Sequence, residues 1–339
     1  MKILYITPRY YPHIGGVEYV VKAIAERLAK QGHDVTVLTG EPNIEHVKEE
    51  IINKVKVIRW PTWAPKEAYH IPRFTNRLEK LLSEFARYVN VVHIHGAHAV
   101  ITVVAGLRIH KYLRNAKLVF APHYHGKGHT FLRNLLWIYW RRKVSTLVRH
   151  ATLVQAVSKR EASLILTHYP QACNKIVIIP NGVDEDVLNY RWRGQDSDYM
   201  IYAGRVEKYK RLELAINIAK SMGLKLLIVG KGAHRVPLKK YANKVYKGGV
   251  EFLDPQSREK YLELLSRARY AINPSKHEAF SIFIAEAVAM RVPAMVSKEI
   301  AENLEAEVKP FKQDLVIITK SCIKTWNEIV KLYLDELYG

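Results

Sequence analysis

The sequence predicts an α/β protein of two doubly wound, Rossmann-like domains, and three observations carry that expectation. Short runs rich in Val, Ile and Leu alternate with longer stretches whose apolar residues recur at helical spacing, the pattern of a parallel sheet with helices on its faces. That rhythm stops once, in the polar segment 185–198, and then restarts. At 339 residues the chain is also too long for one typical core. Domains are therefore expected over 1–184 and 199–325, facing a central cleft and joined by a linker at 185–198, with a last helix within 326–339 crossing back to the first domain.

Ile3–Thr7 reads as the first strand and Pro8–Gly16 as the loop that leaves it. Val17–Lys30 follows as an amphipathic helix with Val20, Val21, Ile24 and Leu28 on one face, ended by Gly32, and Val35–Thr39 is the next strand. Gly15 and Gly16 just before that helix let backbone amides approach a ligand closely, or they simply shape the turn. Val55–Arg59 is a strand, Arg73–Val89 a helix, and Val91–His95 a strand ending in His93-Ile94-His95-Gly96. A helix over Ala99–Leu113 leads to a strand at Leu118–Phe120 and then to a histidine-rich loop holding His123, His125 and His129. Open α/β sheets bind ligands at such strand ends. These histidines lack the cysteine or carboxylate spacing of a metal site, so no metal is expected. Leu153–Val157 and Ile176–Ile179 are the last strands of the first domain, the second running into Pro180-Asn181-Gly182-Val183-Asp184.

In the second domain, Tyr199–Tyr202 is a strand, followed by the basic loop Ala203–Arg211 and a helix at Leu212–Ser221. Arg205 at the strand end and Lys210 at the helix start offer a planar fork and a point charge for a diphosphate. Lys225–Val229 and Val250–Leu253 are strands, Arg258–Ala268 a helix and Tyr270–Asn273 a strand. Residues 274–281 form a turn into a helix at Ile282–Met290, whose amide-rich start suits an anion. Glu278 in the turn and Glu286 in the helix stand eight positions apart, about 12 Å along the axis if the span were helical. They are too far apart for a close catalytic pair. They either hold two parts of one long ligand or are a cap and an ordinary helix glutamate.

Composition narrows the function classes. The chain is 48% hydrophobic, which supports packed cores rather than disorder, and Cys173 and Cys322 form neither a disulfide framework nor a metal pattern. No run of eighteen apolar residues is present, and Met1–Ile6 reads as a strand rather than a signal peptide, so the expected compartment is the cytoplasm. The net charge of +21 is unevenly placed: residues 101–150 hold ten Lys or Arg and no Asp or Glu, and residues 201–250 hold twelve basic and two acidic residues. Within the first region, residues 131–149 read as a basic helix carrying Phe131, Leu135, Trp137, Ile138 and Trp140. It is either a core helix with basic ends or an interfacial helix meeting anionic lipid through its tryptophans and arginines. No recognised nucleic-acid motif accompanies the basic residues, so nucleic acid is not an expected partner.

Taken in order, the Gly-Gly loop, the histidine strand ends, Pro-Asn-Gly-Val-Asp, Gly-Arg-x4-Lys and Glu-x7-Glu resemble the retaining GT-B glycosyltransferases of glycosyltransferase family 4. The resemblance runs from residue 3 to about 297, and the elements at 180–184 and 278–286 are its specific parts. It implies that Arg205 and Lys210 bind the diphosphate of a nucleotide-sugar donor and Glu286 its ribose. Glu278 would contact the transferred sugar, with the amides of Ala279, Phe280 and Ser281 near sugar and phosphate. Gly15 and Gly16 would line the cleft, His123 rather than His95 would face the donor sugar, and Leu253 would meet the nucleobase. The implied reaction moves a hexose to a hydroxyl of a glycan or lipid-linked acceptor, with retention and without metal, at an anionic membrane surface if the basic helix is interfacial. One departure stands out: the segment 297–305 has no glycine where the family has a glycine-rich loop. That departure keeps open a non-catalytic nucleotide-sugar-binding protein, and another GT-B enzyme, such as a nucleotide-sugar 2-epimerase, is the nearest enzyme alternative.

Overall fold

A computed structural model describes the chain apart from Ile14, residues 66–68, His125, residues 127–130, His277, Ala279 and Gln313, and apart from the side chains of residues 131–135. The expectations placed on His125, His129, Ala279, Phe131 and Leu135 fall outside the described set. The chain divides into two compact units, Met1–Pro180 with Trp326–Gly339, and Asn181–Thr325.

The first unit is a nine-stranded sheet made of β1 (Lys2–Thr7), β2 (Asp34–Glu41), β3 (Lys48–Ile52), β4 (Val55–Trp63), β5 (Ile71–Pro72), β6 (Val91–His95), β7 (Lys117–Ala121), β8 (Leu153–Ala156) and β9 (Ile176–Ile178). The order is β3-β4-β2-β1-β6-β7-β8-β9, parallel from β4 onward, with β3 and the short β5 antiparallel to β4. Helices α1 (Gly16–Lys30), α2 (Thr75–Phe85), α3 (Val100–Ile109), α4 (Phe131–His150) and α5 (Lys159–His168) make the crossovers. Because both faces are covered, the central strands are buried along almost their whole length rather than on alternate residues; β1 is buried from Ile3 to Thr7 and β6 from Val91 to His95. α1 buries Val20, Val21, Ile24 and Leu28, the face that its spacing marked.

The second unit holds β10 (Tyr199–Ala203), β11 (Lys225–Val229), β12 (Val250–Leu253), β13 (Tyr270–Asn273), β14 (Ala294–Ser297), β15 (Glu307–Pro310) and β16 (Leu315–Lys320), in the order β12-β11-β10-β13-β14-β16-β15. It is parallel as far as β14 and ends in an antiparallel hairpin of β15 and β16. Its helices are α6 (Leu212–Met222), α7 (Arg235–Val245), α8 (Arg258–Arg267), α9 (Ile282–Ala289) and α10 (Lys298–Asn303). The glycine-free segment is therefore the helix α10, started by Ser297 Oγ, which accepts from Ile300 N at 3.4 Å. The segment 185–198, read above as a linker, is packed into this unit. Trp192 donates from its amide to Met290 O (2.9 Å) and from Nε1 to Ala268 O (3.0 Å). A Cβ on Gly194 would sit 2.2 Å from Ala268 O. Low apolar content concealed a few close, specific contacts.

The chain then returns to the first unit as α11 (Trp326–Leu332) and a π-helical turn at Tyr333–Tyr338. Trp326 is fully buried, Tyr333 donates to Gln155 Oε1 at 2.9 Å, and the Tyr338 hydroxyl meets Tyr5 OH (2.6 Å) and His93 Nδ1 (2.8 Å). α4 shows which way its tryptophans face. Trp137 is buried and Trp140 donates from Nε1 to Ala97 O at 2.9 Å, so the tryptophans face the core. Among the described residues of α4, the outward apolar ones are Leu136, Ile138 and Tyr139.

Candidate active site

In the second unit the candidate residues collect at the carboxyl ends of β10 and β13. The turn after β10 is set by Gly204, whose φ of +149° suits glycine. Gly230 and Gly232 after β11 let their loop lie directly against it: a Cβ on either would come within 2.0 Å of Gly204 O or 2.2 Å of Val206 O. Arg205 is exposed, with Nη2 3.3 Å from the Tyr209 hydroxyl and its carbonyl accepting from Tyr202 OH at 2.9 Å. Lys210 reaches across to the turn after β13, where Nζ pairs with Glu278 Oε1 at 2.5 Å.

Glu278 is held from three sides. Asn273 at the end of β13 donates from Nδ2 to Glu278 Oε1 (3.2 Å) and to Ser281 Oγ (3.0 Å), while its Oδ1 accepts from Ser275 N (3.1 Å). Asn303 of α10 donates to Glu278 O at 2.5 Å. The loop is thus built by one strand-end asparagine and steadied by the helix that replaces the expected glycine-rich loop. Ser281 precedes α9 but makes no side-chain cap, so the first amides of α9 are not taken up by it. Phe280 packs partly against the core.

Glu286 lies one to two turns into α9 and is 3% exposed. Its Oε1 accepts from Arg258 Nη1 (2.5 Å) and its Oε2 from Tyr261 OH (2.6 Å); Arg258 also makes a two-pronged contact with Asp186, both bonds 2.9 Å. Burial raises the carboxyl pKa above its ordinary value, opposed by the Arg258 charge and by the Tyr261 and Arg258 hydrogen bonds. Glu278 and Glu286 each have a cation of their own and do not form a pair. Leu253, at the end of β12, uses its carbonyl to accept from Gly230 N at 3.0 Å.

In the first unit, Gly15 precedes α1 in extended conformation and Gly16 begins the helix. A Cβ on Gly16 would meet nothing within 4 Å among the described residues, and one on Gly15 only the end of the flexible Glu18 side chain. Among the described residues of this unit, the packing demands glycine at neither position. His93 and His95 from β6 and His123 after β7 form a column, with ring centroids 4.3 and 5.3 Å apart and His95 Nδ1 3.0 Å from His123 Nε2. Burial lowers all three: His93 to about 3, His123 to about 4, and His95 well below the ordinary histidine range, so the column is neutral at neutral pH. His123 has a φ of +48°, unusual for a non-glycine residue, and is only partly buried as a residue. The next amide, Tyr124 N, donates to Glu161 Oε1, and Val157 N donates to Glu161 Oε2 at 2.8 Å. Burial pushes the Glu161 carboxyl up to about 7 against these two backbone bonds.

The structure brings Arg205, Lys210, Glu278 and Ser281 together around two adjacent strand ends. It also supplies residues the sequence reading passed over: Asn273, Arg258, Tyr261, Asp186 and Asn303. Arg258 and Tyr261 stand three apart on α8, the spacing that puts two side chains on one face, but only the tertiary contact reveals their shared partner.

The same fold occurs in sucrose-phosphate synthase from Thermosynechococcus elongatus, with a TM-score of 0.70, 19% identity, and coverage of 89% of this chain and 82% of that one. It occurs also in HepE of Anabaena, solved in complex with UDP, with a TM-score of 0.67, 16% identity, and coverage of 100% and 91%. Two doubly wound units with their loops at the strand ends define the GT-B class of α/β proteins. Residues 14–187 match Glycosyltransferase Family 4 and residues 192–336 match Glycosyl transferases group 1, and the chain belongs to this family of glycosyltransferase enzymes. An uncharacterised glycosyltransferase of Methanocaldococcus jannaschii is 26% identical over 326 residues, spanning 88% of this chain and 80% of that protein.

Proposed function

We propose that this glycosyltransferase moves a hexose from a nucleotide diphosphate sugar to a hydroxyl acceptor, with retention and without a metal ion. The observation that carries the reading is the grouping of Arg205, Lys210, Glu278 and the uncapped start of α9 around the ends of β10 and β13. Breaking the bond from the anomeric carbon to phosphate sends its electron pair to a diphosphate oxygen. Cations and helix-end amides fixed there stabilise that charge more in the transition state than in the ground state. The acceptor oxygen bonds to the anomeric carbon, and its proton passes to the departing phosphate.

In this reading Arg205 and Lys210 take the diphosphate, so Lys210 is shared between phosphate and Glu278. Glu278 keeps lone pairs for sugar hydroxyls beyond those used by Lys210 and Asn273. Glu286, locked by Arg258 and Tyr261, holds the ribose, and the end of β12 at Leu253 meets the base. Ala279, Phe280 and Ser281 supply amides, while Gly15 and Gly16 leave room for the substrates. The neutral ring of His123 suits a hydrogen bond to the donor sugar. That HepE was solved with UDP supports a nucleotide donor.

The acceptor is a glycan or a lipid-linked molecule. The outward Leu136, Ile138 and Tyr139, next to a basic run without acidic residues, support contact with an anionic membrane. Among the described residues no helix is long and apolar enough to cross one. A thermal-shift screen of UDP-, GDP- and ADP-sugars, followed by product analysis with and without EDTA, tests the reading. A stabilising donor that yields free nucleoside diphosphate and a glycosylated acceptor supports it. Epimerised nucleotide sugar as sole product, or turnover lost with EDTA, refutes it.

A further inference from the structure

In the first unit, the second half of α4 and the end of α5 enclose an open groove of about 360 Å³. Arg141, Ser145 and Arg149 lie one turn apart along α4, with Arg142 and Thr146 beside them, so one helix face presents three guanidinium groups. Their charge is uncompensated. The sequence has no Asp or Glu from 101 to 150, and among the described residues none of the three arginines has a carboxylate partner. Such a concentration of one sign is costly unless an anion answers it.

The groove is also equipped with specific donors. Arg141 Nη2 contacts Gly126 O (3.3 Å) and His168 Nε2 (3.4 Å), yet its Nε is buried with no partner among the described residues. A buried donor left without an acceptor calls for one. Ser145 Oγ accepts from Gln171 Nε2 at 2.8 Å, which leaves its own hydrogen to give. Lys175 Nζ sits on the carbonyls of Arg149 (2.6 Å) and Ala151 (3.0 Å), adding a fourth cation at the end of α4.

We infer that this groove is a binding site for a phosphate group, distinct from the donor diphosphate site. Guanidinium forks match phosphate oxygens in pairs, and the Ser145 hydroxyl completes the shell. The site lies about 20 Å along α4 from its first residue, at the helical rise of 1.5 Å per residue, and the chain after β7 reaches it through Gly126 O and the Tyr124 hydroxyl, which meets His168 Nδ1 at 2.6 Å. Ile138 and Tyr139, 65% and 67% exposed, stand a turn nearer the start of the helix. A phospholipid headgroup and a soluble phosphate compound share the required chemistry.

The test is calorimetric titration of the full chain with inorganic pyrophosphate. It compares the unaltered protein, Arg142→Gln/Arg149→Gln and Arg205→Ala/Lys210→Ala. Both groove arginines are exposed, so the first variant is expected to fold, which its melting temperature checks. Loss of two charge-assisted contacts should weaken one class of sites by about tenfold or more in the groove variant. The same class should remain in the Arg205→Ala/Lys210→Ala variant, which separates this inference from the donor reading. Identical isotherms for the unaltered protein and the groove variant, or no binding at all, overturn it. Co-sedimentation with phosphatidylglycerol and with phosphatidylcholine vesicles then assigns the source. Retention on phosphatidylglycerol that the groove variant loses indicates a headgroup, and pyrophosphate binding without vesicle retention indicates a soluble phosphate.

Discussion

Replacing Arg258 by Met tests how Glu286 is held. Glu286 is 3% exposed, and its carboxylate has two side-chain partners, Arg258 Nη1 at 2.5 Å and Tyr261 OH at 2.6 Å. Methionine keeps much of the apolar stem but leaves a buried carboxylate with one neutral donor. Breaking a fully buried ion pair costs about 3–5 kcal/mol. The Arg258 side chain is 36% exposed and Asp186 43%, so water screens part of the pair and about 2–3 kcal/mol is the fitting value. For a unit of this size that corresponds to a fall in melting temperature of roughly 5–10 °C, measured by scanning calorimetry at pH 7. The sign with pH follows from the raised pKa of Glu286, which rises further without Arg258. The folded variant then binds a proton that the unfolded chain binds less readily. The deficit therefore shrinks as pH falls through the raised folded value. Arg258→Met combined with Glu286→Gln should recover most of the loss, since no charge is left buried. A melting temperature within 1 °C of the unaltered protein, or no recovery in the double variant, would refute the reasoning.

Three further outcomes are expected. Arg205→Ala and Lys210→Ala should each lower kcat by about a hundredfold or more with an unchanged fold, because each removes a charge that answers the departing diphosphate; steady-state turnover with circular dichroism checks this, and ordinary turnover in either variant sinks the assignment. Gly16→Val should leave the melting temperature nearly unchanged, since a Cβ there meets nothing within 4 Å, while donor turnover falls by about tenfold or more as the side chain occupies space left for substrate; a stability loss without a kinetic one counts against that role. Glu161, with its pKa raised to about 7 by burial, should make the protein most stable in this respect below about pH 4.5, with stability falling as pH rises toward 7 and level above it. Glu161→Gln should remove that slope from urea midpoints measured between pH 4.5 and 8, and parallel profiles for the two proteins would exclude the effect.

Much of the fold was legible because local pattern and global packing agree. The strands at Ile3, Val91 and Tyr199 and the helix at Val17–Lys30 carry periods that match their burial, and turn residues such as Gly32 mark their ends. Elements whose signal is weak were harder to read. The helix α7 carries Pro237 in its first turn, where proline is tolerated but reads as a breaker. The edge strand β3, Lys48–Ile52, is mostly exposed and polar, so no core pattern betrays it. The tryptophans of α4 were ambiguous because a helix facing a core and a helix facing lipid use the same residues.

The sequence by itself determined the class of the protein: the alternation of strand and helix, the motifs at the strand ends, and through them the glycosyltransferase family. These are local facts, written in spacing and residue type. Only the tertiary structure decided which partner each charged side chain takes. It joined Lys210 to Glu278 across 68 positions, and Arg258 to both Glu286 and Asp186. It set Asn303 of the glycine-free segment beneath the Glu278 loop, and Tyr338 of the last turn against Tyr5 and His93. Such contacts depend on strand order and crossover direction, which bring distant residues together, and no spacing along the chain encodes them.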